Sequence, residues 1–314
     1  MSGEGAFDAQ VLRTMQALAQ EVFALRPDLV NADATFGELA WIWGRGLPGD
    51  AESWPHCLWR HQGQVIGWGW VHPPHHGTRS DGTSYENTDA YLAWQVHPAH
   101  PEILDEILDW YDDQAGEHKQ LVDATAADES AQTRLRAHGF RPDEKQAADD
   151  GSWHQFNERE LDDLSEPTLP DGYRFLTAED VSSEAAWQAH VDAWHPSTLT
   201  LAALEGAQRA WPYRPDLHVL IEAPDGTLVA TTMMWLDEQN RVAEFEPVGT
   251  HRDYRKRGLG QALLWHGMGR ARQAGASRML VACLGGAAHP AAKALYYSVG
   301  FREFSRDVPF VKGD

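Results

Sequence analysis

The sequence predicts an α/β protein made of two copies of one domain. Three observations predict it. The chain has 314 residues, room for about two domains of ordinary size. A polar stretch from Glu158 to Phe175 (ERELDDLSEPTLPDGYRF) carries two prolines and a Pro-Asp-Gly turn and divides the chain nearly in half. On both sides of it the order strand, helix, strand, short helix, Gly-Phe recurs, ending at Gly139-Phe140 and at Gly300-Phe301. The expected division is a first domain over 1–160, a linker over 161–171 and a second domain over 172–314.

In the first half, FDAQVLRTMQALAQEVFAL has the periodicity of an amphipathic helix. HCLWRHQGQVIGWGWVHP reads as a hairpin turning at His61-Gln62-Gly63-Gln64. AYLAWQVHP is a strand. The helix that follows places Ile103, Leu104, Ile107, Leu108 and Tyr111 on one stripe. QLVDAT is a strand and SAQTRLRAHGF a short helix. Trp68 and Trp70 share one face of a strand, which points to a core or an interface between the halves.

In the second half, GYRFL is a short strand, and AEDVSSEAAWQAHVDAW a helix with Thr177 as its cap. TLAALEGAQRA is a second helix. LHVLIEAPDGTLVATTMMWL reads as two strands about Pro224-Asp225-Gly226, and RVAEFEPVGTH as another strand. A helix runs from about Gly258 to Ala274, with Leu264, Met268 and Ala271 on its apolar face and Gly275 as its stop. RMLVACL is a buried strand, PAAKALYYSVG a helix with Pro290 in its first turn, and REFSRDVPFVK a closing strand.

Net charge is −21, from 26 basic and 47 acidic residues. Such a surface repels phosphate backbones, so nucleic acid is not an expected partner. Cys57 and Cys283 are the two cysteines, too few for a disulfide framework. The N-terminus lacks a basic start followed by an apolar stretch, and no apolar run approaches the ~20 residues of a membrane span. A cytoplasmic protein with no membrane partner is expected; the oligomeric state is left open. His72, His75, His76, His97 and His100 lack the spacing of a metal site, and no metal is expected.

In this acidic chain, HRDYRKRGLGQALL concentrates cations at a glycine turn between a strand and a helix. Glycines let backbone approach a ligand closely. The first N–H groups of a helix lack internal partners and carry partial positive charge. With Arg255, Lys256 and Arg257 beside Gly258, Leu259, Gly260 and Gln261, the turn suits a phosphate or pyrophosphate. It is not a P-loop, because Gln261 follows Gly260 where lysine is needed. Nor is it a dinucleotide fingerprint, because Leu263 stands in place of the third glycine.

Arg255-x-x-Gly258-x-Gly260 resembles the acyl-CoA pyrophosphate loop of the GNAT N-acetyltransferase superfamily. HPAAKALYYSVGFREF resembles that family's second signature, matching at Leu295, Tyr296, Gly300 and Phe301, with His289 where asparagine is usual. The resemblance covers about residues 170–314. It implies tandem GNAT-like domains, each a mixed, mostly antiparallel sheet flanked by helices. It also implies acetyl-CoA as co-substrate and a primary amine, expected to be a small molecule, as acceptor. Val248, Gly249 and Thr250 would offer a backbone N–H to the thioester carbonyl, and His289 and Lys293 would meet the cofactor arm. Tyr296 would protonate the leaving sulfur, with Tyr297 in reserve.

Transfer also needs a base. Glu244 and Glu246 are two residues apart on a strand and so can share a face, and close carboxylates raise each other's proton affinity. The first half resembles the family more weakly. Pro101 and Glu102 replace the glycine loop, acidic Glu102, Asp105 and Glu106 occupy the helix start, and Leu135 stands opposite Tyr296. A degenerate first copy that shapes the acceptor site is expected. The rival readings are an acyl-CoA sensor without turnover and a peptide or protein acetyltransferase.

Overall fold

The computed structural model describes residues 6–49, 53–148, 151–287 and 290–313. The first half runs α1 (Ala9–Leu25), α2 (Phe36–Gly46), β1 (His56–His61), β2 (Gln64–His72), β3 (His75–Thr78), β4 (Ser84–Asn87), β5 (Ala90–Val96), α3 (Ile103–Ala115), β6 (Gln120–Thr125), α4 (Glu129–Ala137), β7 (Arg141–Pro142), α5 (Glu144–Ala147) and β8 (His154–Glu160). The second runs β9 (Arg174–Thr177), α6 (Ser183–Ala193), α7 (Leu201–Arg209), β10 (His218–Glu222), β11 (Leu228–Asp237), β12 (Val242–Thr250), α8 (Leu259–Gln273), β13 (Arg278–Leu284), α9 (Pro290–Ser298) and β14 (Arg302–Lys312).

The strands form one mixed sheet in the order β1-β2-β5-β6-β14-β8-β13-β12-β11-β10-β9, with β7 added at β14 and β3–β4 as a separate hairpin. Two neighbouring pairs are parallel, β5 with β6 and β12 with β13; the others are antiparallel. The parallel pairs occupy the same place in each half. In both, pairing stops early and the strands splay: β5 and β6 pair only from Ala90 to Leu92, and β12 and β13 only from Val242 to Phe245.

The halves exchange their last strands. The edge of β6 is filled by Asp307–Lys312 of β14, and the edge of β13 is filled by β8. The front of β14, Arg302–Arg306, pairs with β8 and closes the seam. Pairing therefore assigns β8 to the second half's sheet, although it precedes the polar stretch that marks the division in the sequence.

Three cores follow. Helices α3 and α4 cover one face of the first half's sheet, and α8 and α9 cover the same face of the second. A shared core on the other side joins α1 and α2 to α6 and α7, and contains Trp68, Trp70 and Trp235. Each fully buried aromatic there contributes on the order of 2–3 kcal/mol by removal from water. Helices α2 and α7 touch backbone to backbone, since a Cβ on Gly206 would stand 2.1 Å from the Gly44 carbonyl oxygen.

The elements expected from periodicity are present, with local corrections. The cap of α6 is Ser182, whose Oγ accepts from Ala185 N–H at 3.2 Å, not Thr177. Thr177 ends β9 and donates through N–H and hydroxyl to Asp180. His75 and His76 lie on the short strand β3. Helix α2 and strand β8 are additions. Among the described residues no helix is long and apolar enough to cross a membrane.

Because β14 completes the first half's core, Phe310 matters although it lies near the C-terminus; it is 1% exposed. Phe310→Ala is expected to cost about 3–5 kcal/mol, read as a lowered midpoint in urea unfolding followed by tryptophan fluorescence.

Candidate active site

The glycine turn lies where the sheet splits. Beyond Phe245 the edge of β12 is free of β13, and a cleft of about 730 Å³ opens there. Val248, Gly249, Thr250, Arg255, Lys256, Gly258, Leu259, Gly260, Gln261 and Tyr296 line it. Gly258 caps α8 at φ 81°, a left-handed conformation that favours glycine. A Cβ on Gly260 would stand 3.1 Å from Leu295 across the cleft. The first-turn N–H groups of α8 lack i−4 partners within the helix, so the cleft has donors at one end.

The cations divide their work. Arg255 lines the cleft but donates from Nε to the Thr250 carbonyl at 3.1 Å and from Nη2 to the Ala193 carbonyl at 3.0 Å. It ties the end of β12 to the end of α6. Arg257 turns away, donating to Tyr173 Oη at 3.2 Å and to the Asp253 carbonyl at 3.1 Å. The Lys293 ammonium lies 2.8 Å from Gln155 Oε1 and does not line the cleft. Tyr297 accepts from Gln155 Nε2 at 3.0 Å on that same side. His289 falls outside the described residues.

At the other end, Tyr296 is 6% exposed. Burial first, and then the nearby Glu246 charge, push its phenol above the ordinary range, so it stays protonated at neutral pH. Glu246 sits at a bulge. Thr232 pairs with Val248 and Met234 with Phe245, which leaves Glu246 and Pro247 opposite Met233 alone. The indole of Trp235 holds the bulge by donating to the Glu246 carbonyl at 2.8 Å.

Helix α2 gives Glu244 and Glu246 different surroundings. Glu244 is 6% exposed and its Oε1 accepts from Thr35 Oγ1 at 2.8 Å. Its Oε2 accepts from Gly37 N–H at 3.2 Å. Burial nevertheless wins over these two donors and pushes the carboxyl up to about 8. Glu246 rises to about 7, again by burial, with the Arg45 charge opposing. Glu38 of α2 completes the group: burial and then the Glu246 charge raise it well above the carboxylate range. Three carboxyls and Arg45 thus meet where the first half covers β12.

Glu38 and Arg45 escape the sequence reading because α2 was not among the elements expected from it, and most of its residues are buried. The pattern Thr35-Phe36-Gly37-Glu38 was the available signal, since Ser/Thr-x-x-Glu marks a helix start. Thr35 Oγ1 does accept from Glu38 N–H, at 3.1 Å.

The matching split in the first half is smaller, a cleft of about 230 Å³ whose walls include Val96, Pro101 and Leu104. Asp105 and Glu106 stand in the first turn of α3, and Asp105 is paired with Arg134. Their charge opposes an anion where the second half favours one.

Comparison with known proteins agrees with this geometry. Residues 183–301 match the Acetyltransferase (GNAT) family. A mycothiol acetyltransferase from Saccharomonospora viridis is 31% identical over 159 residues, 47% of this chain and 51% of its own, so the match spans about half of that relative. A GCN5-related N-acetyltransferase from Sphaerobacter thermophilus superposes with a TM-score of 0.62 at 18% identity, covering 98% of this chain and 94% of that one. A tandem GNAT protein from the clavulanic acid biosynthesis pathway gives 0.64 at 14% identity, covering 99% and 97%. The two structural likenesses establish the fold.

The raised carboxyls set a pH dependence. A carboxyl whose folded pKa exceeds its unfolded value holds a proton that the unfolded chain gives up. Its stabilisation is present below about pH 4.5 and is lost as pH rises through the folded value. Thermal midpoints are therefore expected to fall from pH 5 to pH 8. Glu244→Gln, neutral throughout, is expected to flatten that fall by up to about 1.4 kcal/mol per pH unit and to melt above the parent at pH 8.

Proposed function

We propose that the chain, whose residues 183–301 match the Acetyltransferase (GNAT) family, is an acetyltransferase of that family and transfers an acyl group, acetyl foremost, from acyl-CoA to the primary amine of a small molecule. One observation carries the reading. A single cleft is lined both by the first turn of α8 with Arg255 and Lys256 and by Tyr296, whose phenol burial and then the Glu246 charge keep protonated.

The amides of Leu259, Gly260 and Gln261 bind the pyrophosphate, where helix polarity and nearby cations favour an anion. The thioester then lies along β12, and a backbone N–H between Val248 and Thr250 donates to its carbonyl oxygen as negative charge develops there. Glu246 accepts the amine proton. A carboxyl near 7 is populated as the base at neutral pH and still holds a proton firmly once it has one. The amine nitrogen bonds to the carbonyl carbon, the carbon–sulfur bond breaks, and the Tyr296 hydroxyl protonates the departing thiolate. Well-oriented reactants gain on the order of 7 kcal/mol from being held together.

Glu244 is a weaker candidate for the base. Its two oxygens are engaged by Thr35 and Gly37, and it fits better as the residue that fastens α2 over the site. Glu38, beside Glu246, gives the acceptor end a second carboxyl suited to a cationic amine. The coverage of this end by α2 supports a small acceptor over a peptide, as does the likeness to a mycothiol acetyltransferase.

Gly260→Val is expected to weaken acetyl-CoA binding at least about tenfold by calorimetry, because its side chain enters the cleft against Leu295. A folded variant that binds as tightly as the parent would sink the reading. Tyr296→Phe is expected to leave that affinity unchanged and to lower thiol release with a panel of primary amines by about 100-fold or more. Saturable binding without release from the parent across the panel would favour the sensor.

A further inference from the structure

The exchanged strands bring a second group of side chains together, away from the cleft. Asp123 of β6, Asp307 of β14 and His154 of β8 each offer one ligand atom, all within 4.8 Å of one another. The register accounts for this. Asp307 lies opposite Thr125, Asp123 lies opposite Pro309 two residues along, and the neighbouring Arg306 pairs with Gln155 of β8. Three adjacent strands, drawn from both halves, thus converge on one point.

The surroundings are acidic and poorly satisfied. Asp33 stands close and accepts from the Tyr91 phenol, which also lies 3.5 Å from Asp123 Oδ2. Among the described residues, no ion pair joins Asp33, Asp123 or Asp307 to a cation. Asp307 is 2% exposed; Oδ2 accepts from Ala32 N–H at 3.0 Å, while Oδ1 has no partner. His154 Nδ1 is buried without a partner. Thr125, 2% exposed and directly across from Asp307, has an unpartnered Oγ1, and Asn31, 3% exposed and next to Ala32, has an unpartnered Oδ1.

Buried polar atoms in native proteins are nearly always satisfied, and several orphans at one place call for a ligand. Carboxylates this crowded repel one another unless a cation lies between them. Two carboxylate oxygens and one imidazole nitrogen form a mixed donor set suited to a borderline divalent ion rather than to magnesium.

We propose that Asp123, His154 and Asp307 bind a divalent transition-metal ion of the zinc or manganese type, which clamps the seam between the two halves. At metal–ligand distances of about 2.0–2.2 Å in tetrahedral geometry, ligand atoms stand roughly 3.3–3.6 Å apart, so side-chain rotations close the set. The ion satisfies Asp307 Oδ1 and His154 Nδ1, offsets the acidic group and joins β6, β14 and β8. The histidines weighed in the sequence, at 72, 75, 76, 97 and 100, take no part.

Zinc is the probe. The full chain is stripped with chelator, dialysed near neutral pH, supplied with Zn²⁺ and passed through gel filtration. Zinc retained per chain is then measured, with the thermal midpoint before and after loading. The expected result is about one zinc per chain and a rise of about 3 °C or more. Both are expected to be lost in Asp307→Asn and in His154→Gln, with far-UV spectrum and acetyl-CoA affinity kept; if one variant does not fold, the other decides. Absence of retained zinc in the parent overturns the proposal. So does retention at the parent's level in a folded variant, which would put the metal on surface histidines.

Discussion

Reciprocal pairing of the two terminal strands is the constraint on which the rest of the molecule depends. Each half has a sheet with one edge that its own chain leaves open, and each edge is closed by the other half's last strand. A single hydrogen-bonded sheet therefore spans both halves, and their relative placement is set by backbone register rather than by surface contact alone. That placement lays α2 of the first half across β12 of the second, where Thr35 and Gly37 meet Glu244. A looser attachment would not hold Glu38 and Arg45 beside Glu246.

The candidate site is electrically divided. At the anion end, helix amides and two cations face a cleft within a protein of net charge −21. Where α2 covers β12, buried Glu244 and half-buried Glu38 and Glu246 gather, and the charge of the exposed Arg45 acts on Glu38 and Glu246. Burial decides the protonation states there, since hydrogen bonds and Arg45 act in the opposite direction and are outweighed. Burial and then the Glu246 charge keep the Tyr296 phenol protonated near a carboxyl of much lower proton affinity.

Much of the fold was legible because its elements are amphipathic and punctuated. The Gln62-Gly63 turn, the stripe on α3 and the glycine stop of α8 are local signals, and local signals survive in a lone sequence. The glycine turn was legible for the same reason, being contiguous and chemically unusual in an acidic chain. Helix α2 was not: it is short, glycine-punctuated and mostly buried, and its covering partners, α7 among them, lie in the other half. Strand β8 runs into the polar stretch that looked like a linker, and its partners lie more than a hundred residues away. The separate environments of Glu244 and Glu246 were hidden because β12 bulges at Glu246 and Pro247 and because the donors to Glu244 come from the other half. Spacing of two predicts a shared face; it says nothing of what covers that face. Lys293 and Arg257 were placed by motif position, while their hydrogen bonds take them elsewhere.

The exchanged strands also impose an order on synthesis. While the chain emerges from the ribosome, Gln120–Thr125 has β5 along one side and nothing along the other until residues 307–312 have been made. For most of translation the nascent first half carries an open strand edge, the kind of template on which chains mispair. Asp123 lies on that edge. A charge in the middle of an unfinished strand discourages the wrong neighbour from docking, so a residue that is costly to bury in the finished protein guards the unfinished one.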